Sequence, residues 1–104
     1  MKFGLEEKVI RDVITMLSSF PEIEEVILYG SRAKGNYEPG SDIDIVLKGN
    51  DLELNTVNKI SLKLDDLDLP YTFDLSIFGR IDNTELLEHI RRVGISLYKR
   101  PDSK

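Results

Sequence analysis

Two short apolar runs, separated by a stretch that no long helix can cross, constrain this chain more than any other feature. Residues 23–29, IEEVILY, are rich in β-branched and aromatic side chains and too short for a typical helix. They read as a strand that stops at Gly30. Residues 42–47, DIDIVL, alternate at first and then become wholly apolar, which suits a strand buried at one end and open at the other. Gly49 and Asn50 end it. Between the two runs lie Gly35, Asn36, Pro39 and Gly40, turn formers that leave room only for a single helical turn over residues 31–34.

The rest of the chain falls into place around this pair. Leu5, Val9, Ile10, Val13, Ile14 and Leu17 form one helical stripe over residues 5–20, ended before Pro21. Leu52, Leu54, Val57, Ile60, Leu64 and Leu67 form another over residues 51–67, with Asp51 as N-cap. In residues 71–78, YTFDLSIF, Tyr71, Phe73, Leu75 and Ile77 share one face and Thr72, Asp74, Ser76 and Phe78 the other, the pattern of a strand. Asp82 or Asn83 caps a third helix that runs through Val93 with Leu86, Leu87, Ile90 and Val93 inward, and Gly94 ends it. Residues 95–98 make a last short strand before a charged tail, residues 100–104. The order α-β-β-α-β-α-β predicts a small mixed β-sheet with helices packed against it in a single layer, an α+β (mixed α/β) fold.

A chain of 104 residues is expected to be one domain, 1–104, because halves of it would be too small to bury useful cores. With 40% hydrophobic residues it is too apolar to be disordered. It has no cysteine, so neither disulfides nor a thiolate metal site is available, which fits a cytoplasmic protein. The N-terminus carries acidic residues in its first turns and does not read as a secretory signal, and no stretch approaches the length of a membrane span. The net charge of −5 argues against long nucleic acid as a substrate of this chain alone. It would repel a triphosphate as well, unless metal ions neutralise the site locally.

The candidate chemistry sits at the inner ends of the two apolar runs. Asp42 and Asp44 are two apart in a predicted strand, so their side chains project from one face. Paired carboxylates repel unless a cation sits between them, and magnesium takes oxygen ligands of this kind, with water and substrate phosphate completing its shell. Asp74 reaches the same face if its strand neighbours that of Asp44, and three carboxylates then bracket two metal ions that could drive in-line displacement. Asp74 is also the candidate acceptor of a proton from the attacking hydroxyl. Gly30 and Ser31 offer a tight turn, backbone N–H groups and a hydroxyl to phosphate. Arg32 and Lys34 bring positive charge to the pyrophosphate, one of them being enough, or are plain loop charges.

Gly30-Ser31, ten intervening residues, Asp42-Ile43-Asp44 and a later Asp74 in a strand together resemble the signature of the nucleotidyltransferase superfamily related to DNA polymerase β. The short chain is similar over its whole length to the minimal nucleotidyltransferases, including the MntA antitoxins encoded with HEPN toxins. The resemblance implies a nucleotidyltransferase-like fold, with ATP held through Gly30 and Ser31, Mg2+ on Asp42 and Asp44, and Asp74 as third carboxylate. It also implies protein adenylylation, with AMP passing from ATP to a tyrosine of a HEPN toxin, in the antitoxin of a type VII toxin–antitoxin pair. The contrasting expectation is a binding module that neutralises its partner by contact, without catalysis. Modification of a small molecule is a third reading, for which extra substrate-binding structure would be needed.

Other residues invite blander readings. Tyr37 is an exposed loop tyrosine, able to stack on a base or accept AMP. His89, in a charged helical stretch beside Glu88 and Arg91, reads as surface. Asp65, Asp66 and Asp68 lie at a helix end, where solvated acids and turn formation account for them.

Overall fold

The computed structural model describes residues 1–101, leaving the end of the charged tail outside the described residues. Helix α1 (Glu7–Ser18) is followed by strand β1 (Glu25–Tyr29), a one-turn helix α2 (Gly30–Lys34) and strand β2 (Ile43–Lys48). Helix α3 (Leu54–Asp66), strand β3 (Phe73–Ile77), a 3-10 turn (Phe78–Arg80), helix α4 (Thr84–Val93) and strand β4 (Ile95–Lys99) complete it. The sheet has the order β3-β2-β1-β4. β1 runs antiparallel to both β2 and β4, and β2 runs parallel to β3. A parallel pair needs a long crossover between its strands, which α3 supplies.

The alternation of the central strands divides the core in two. Val26, Leu28, Ile43, Ile45 and Leu47 point to one face and pack against Val13 and Leu17 of α1 and Ile60 and Leu64 of α3. Ile27, Tyr29 and Val46 point to the other face, where Ile90 and Leu86 of α4 meet them. The expected mixed sheet is therefore present, but the expected single layer of helices is not, because β1 is apolar on both faces and each needs cover.

Several boundaries differ from the sequence expectations for local reasons. α1 begins at Glu7 rather than residue 5, since Lys2 and Leu5 pair their backbones in a tight N-terminal bridge. Asp51 is not the N-cap of α3: Leu52 first turns into the core, and Glu53 takes the cap position. Asp42 stands just before β2 rather than within it. Asn83, not Asp82, caps α4, its Oδ1 accepting from the amides of Glu85 at 2.9 Å and Leu86 at 3.1 Å.

Candidate active site

The pairing of three strands builds the site. β1 places Tyr29 opposite Asp44 of β2, and the parallel register of β2 with β3 places Asp74 opposite Asp44 on the other side. Tyr29, Asp44 and Asp74 thus form one row across the sheet, on the face that carries α4. Asp42, two positions earlier, shares that face by alternation and is exposed. Asp74 is exposed and Asp44 half-buried, so the acids sit where the cover of α4 gives out. A separate hollow of about 240 Å³ opens on this face at the other end of the sheet, lined by Glu25, Lys48, Phe78 and Arg91 among others, and none of the acids lines it.

Asp44 carries the electrostatic signature of the site. Burial pushes its carboxyl above the ordinary aspartate range, Asp74 and Asp42 push it further, and His89 and Arg32 pull the other way. Like charges crowded against one another in a partly dry place favour a cation between them. Among the described residues no three Asp, Glu, His or Cys side chains converge closely enough to hold a metal ion on their own. Magnesium does not require that, because it is usually bound through one or two carboxylates with substrate phosphate and water. An all-oxygen donor set with a raised carboxyl fits such an ion.

The backbone beside Asp44 is shaped to let something approach. Gly30 opens α2 with φ of +76°, and a Cβ there would run into the Asp44 carboxylate. Only glycine joins a left-handed backbone to this close contact. Its N–H donates to Nε2 of His89 at 3.2 Å. The His89 ring also meets Tyr29 edge-on, with centroids 6.2 Å apart. Ser31 is half-buried, with its amide in the first turn of α2, where no intrahelical partner exists.

Of the residues singled out in the sequence, the fold gathers Asp42, Asp44, Asp74, Gly30 and Ser31 around one end of β2. Lys34 is exposed at the end of α2. Arg32 is buried, its guanidinium donating to the carbonyls of Phe3 and Ser41. The surface reading of His89 is corrected: the residue is half-buried and hydrogen-bonded to the glycine turn. Its signal was its place three residues after Leu86, beside the inward stripe of α4. Tyr29 was missed as well. It is 7% exposed, and burial first, then Asp74 and Asp44, raise its pKa, with the Ser76 side chain working the other way.

Residues 11–103 match the domain family described as polymerase beta, nucleotidyltransferase. The chain belongs to this nucleotidyltransferase family. The nucleotidyltransferase is 39% identical over 61 residues, 57% of its own length, to "Putative protein adenylyltransferase MJ0604" of Methanocaldococcus jannaschii, and it spans 60% of that relative. It is 26% identical over 95 residues to a second protein of that organism, "Putative protein adenylyltransferase MJ0141", covering 84% of its own length and 89% of the relative. Among solved structures, a toxin–antitoxin complex with AMP-PNP is similar at a TM-score of 0.68 and 25% identity, over 93% of this nucleotidyltransferase and 76% of that chain. A tri-AMPylated Shewanella oneidensis HEPN toxin with its MNT antitoxin gives a TM-score of 0.68 at 22% identity, over 92% and 74% of the two chains, which shows a common fold. Among the described residues no helix is long and apolar enough to cross a membrane.

Proposed function

We propose that this nucleotidyltransferase is a magnesium-dependent protein adenylyltransferase of the cytoplasm. It moves AMP from ATP to a tyrosine of a HEPN-type partner and so acts as the antitoxin of a type VII pair. The observation that carries the reading is the register of Asp44 with Asp74 across β2 and β3, with the side-chain-free Gly30 seated against Asp44. The names of the two archaeal relatives and the AMP-PNP and AMPylated-toxin complexes among the structural neighbours support the same chemistry.

In this mechanism Asp42 and Asp44 would hold a magnesium ion, and Asp74 would complete the site for a second. When bound, magnesium would supply positive charge to offset that of the triphosphate and of the pyrophosphate. Ser31 offers its hydroxyl and first-turn amide to phosphate, and Lys34 adds an exposed cation nearby. Gly30 contributes by lacking a side chain, since its N–H is already given to His89. The tyrosine oxygen bonds to the α-phosphorus as the bond from that phosphorus to the bridging oxygen breaks. Pyrophosphate leaves, and Asp74 takes the phenolic proton. The acceptor tyrosine is positioned by the partner's own surface.

The test is transfer of α-labelled ATP into the partner, with Asp42→Asn as control. Label on the partner, lost in the variant, is the expected result. A partner silenced equally by the parent and by Asp42→Asn, with no label transferred, would replace the enzyme by a binding module.

A further inference from the structure

Arg32 is a buried cation with an unusual set of partners. Its side chain is 2% exposed, and it is the only charged residue sealed in this way among those described. Nη1 donates to the Phe3 carbonyl at 2.8 Å, while Nη2 and Nε both donate to the Ser41 carbonyl, at 2.9 and 3.2 Å. The rings of Tyr37 and Tyr71 each lie 5.4 Å from its Cζ. Among the described residues no carboxylate stands within ion-pair distance of it. Burying a guanidinium is costly, and here its close partners are main-chain carbonyls and aromatic faces, with the Asp44 carboxylate attracting it from further off.

The two carbonyls locate its purpose. Ser41 is the peptide neighbour of Asp42, so the fork on its carbonyl fixes the backbone that delivers the first carboxylate. Arg32 itself follows Gly30 and Ser31 in α2, so the same side chain ties the glycine turn to the start of β2. The far anchor, Phe3, lies in a turn closed by mutual backbone hydrogen bonds between Lys2 and Leu5 at 3.0 and 2.8 Å. Phe3 has φ of +58° and Gly4 of +74°. A bulky residue seldom adopts that conformation, and it persists where its surroundings hold it. A side chain at Gly4 would strike the Tyr37 ring and approach Nη1 of Arg32 to 2.9 Å. The N-terminal turn is thus built to present one carbonyl to this guanidinium.

We propose that Arg32 is a positioning residue: it clamps the peptide preceding Asp42 to the Gly30-Ser31 turn, with the N-terminal turn as its second anchor, and so sets the place of the first metal-binding carboxylate. The metal half of this statement rests on the nucleotidyl-transfer reading above. The clamp itself does not. A lysine here would keep the charge but lose the planar fork that grips one carbonyl through two donors while reaching a second.

The experiment combines amide hydrogen exchange with Mn2+ titration in the presence of ATP, on the full chain, for the parent, Arg32→Met, Arg32→Lys and Gly4→Val. Gly4→Val leaves Arg32 in place and disturbs its anchor, so it serves if Arg32→Met fails to fold. Exchange in residues 36–42 should quicken at least about tenfold in Arg32→Met, the scale of losing a hydrogen bond to a charged group, while β1 and α4 keep the parent's protection. Mn2+ affinity should fall in parallel, with Arg32→Lys restoring little of either and Gly4→Val loosening the same segment. Unchanged exchange in residues 36–42, full rescue by lysine, or a uniform loosening with Mn2+ affinity intact would overturn the proposal. A parent that binds no Mn2+ with ATP would overturn the nucleotidyl-transfer reading and the metal half of the proposal with it, and the exchange data would still decide the clamp.

Discussion

Asp44 is where the fold and the chemistry pull against each other. Its folded-state pKa lies above the ordinary aspartate value of about 3.9, chiefly through burial and then through Asp74 and Asp42. The folded chain therefore binds this proton more tightly than the unfolded chain does. Stability falls as pH rises through the ordinary aspartate value and on through the raised one, whereas below that window the group is protonated in both states and the penalty vanishes. Asp44→Asn removes the charge, so its melting temperature should match the parent's at low pH and exceed it by a few degrees at pH 7 without metal. A domain of this size moves roughly 4–8 °C per kcal/mol, so the difference is within reach of calorimetry. Magnesium with ATP should raise the parent's melting temperature and leave the variant's unchanged. A variant less stable than the parent at pH 7 without metal would show that Asp44 is not strained as described. The sequence made Asp42, Asp44 and Gly30 legible because spacing alone puts the two acids on one face and the turn at a strand end. His89 was not legible, because its role lies in a hydrogen bond to a glycine amide that only the docking of α4 creates.

The sheet elements were readable as elements, and their neighbours were not. Alternation in residues 71–78 marks a strand, but nothing in it says that this strand runs parallel to β2 and sets Asp74 beside Asp44. That pairing depends on α3 lying across the opposite face. The run VILY within β1 carried a further signal that the single-layer expectation overlooked: consecutive apolar residues mean burial on both faces, hence helices on both. The ends of elements were set by local competition, as where Leu52 enters the core before α3 can begin. α4 is the element that brings His89 to the site, and its start depends on the Asn83 cap. Asn83→Ala should lower stability by about 1 kcal/mol, the usual value of an N-cap side chain, as measured by urea unfolding. Asp82→Ala should change little, and an equal loss in both variants would contradict the capping seen here.

At the scale of the whole molecule, an acidic chain of net charge −5 arranges four strands so that acids from two of them meet at the open end of one sheet face. One layer of helices seals the opposite face, and α4 seals part of this one, which leaves the row of Tyr29, Asp44 and Asp74 at the boundary between core and solvent. Burial on one side and approach from the other are what a phosphate-transfer centre requires: fixed carboxylates, and room for a triphosphate and an incoming hydroxyl. The central claim is that the pairing of β2 with β3 builds this centre, and Asp74 is its most exposed commitment. The most direct measurement is the rate of AMP transfer to the partner by Asp74→Asn beside the parent, at saturating ATP and magnesium. A fall of about 10²–10⁴-fold, the usual contribution of a proton-accepting group, with the fold unchanged by circular dichroism, is predicted. Transfer at the parent's rate by Asp74→Asn would contradict the account.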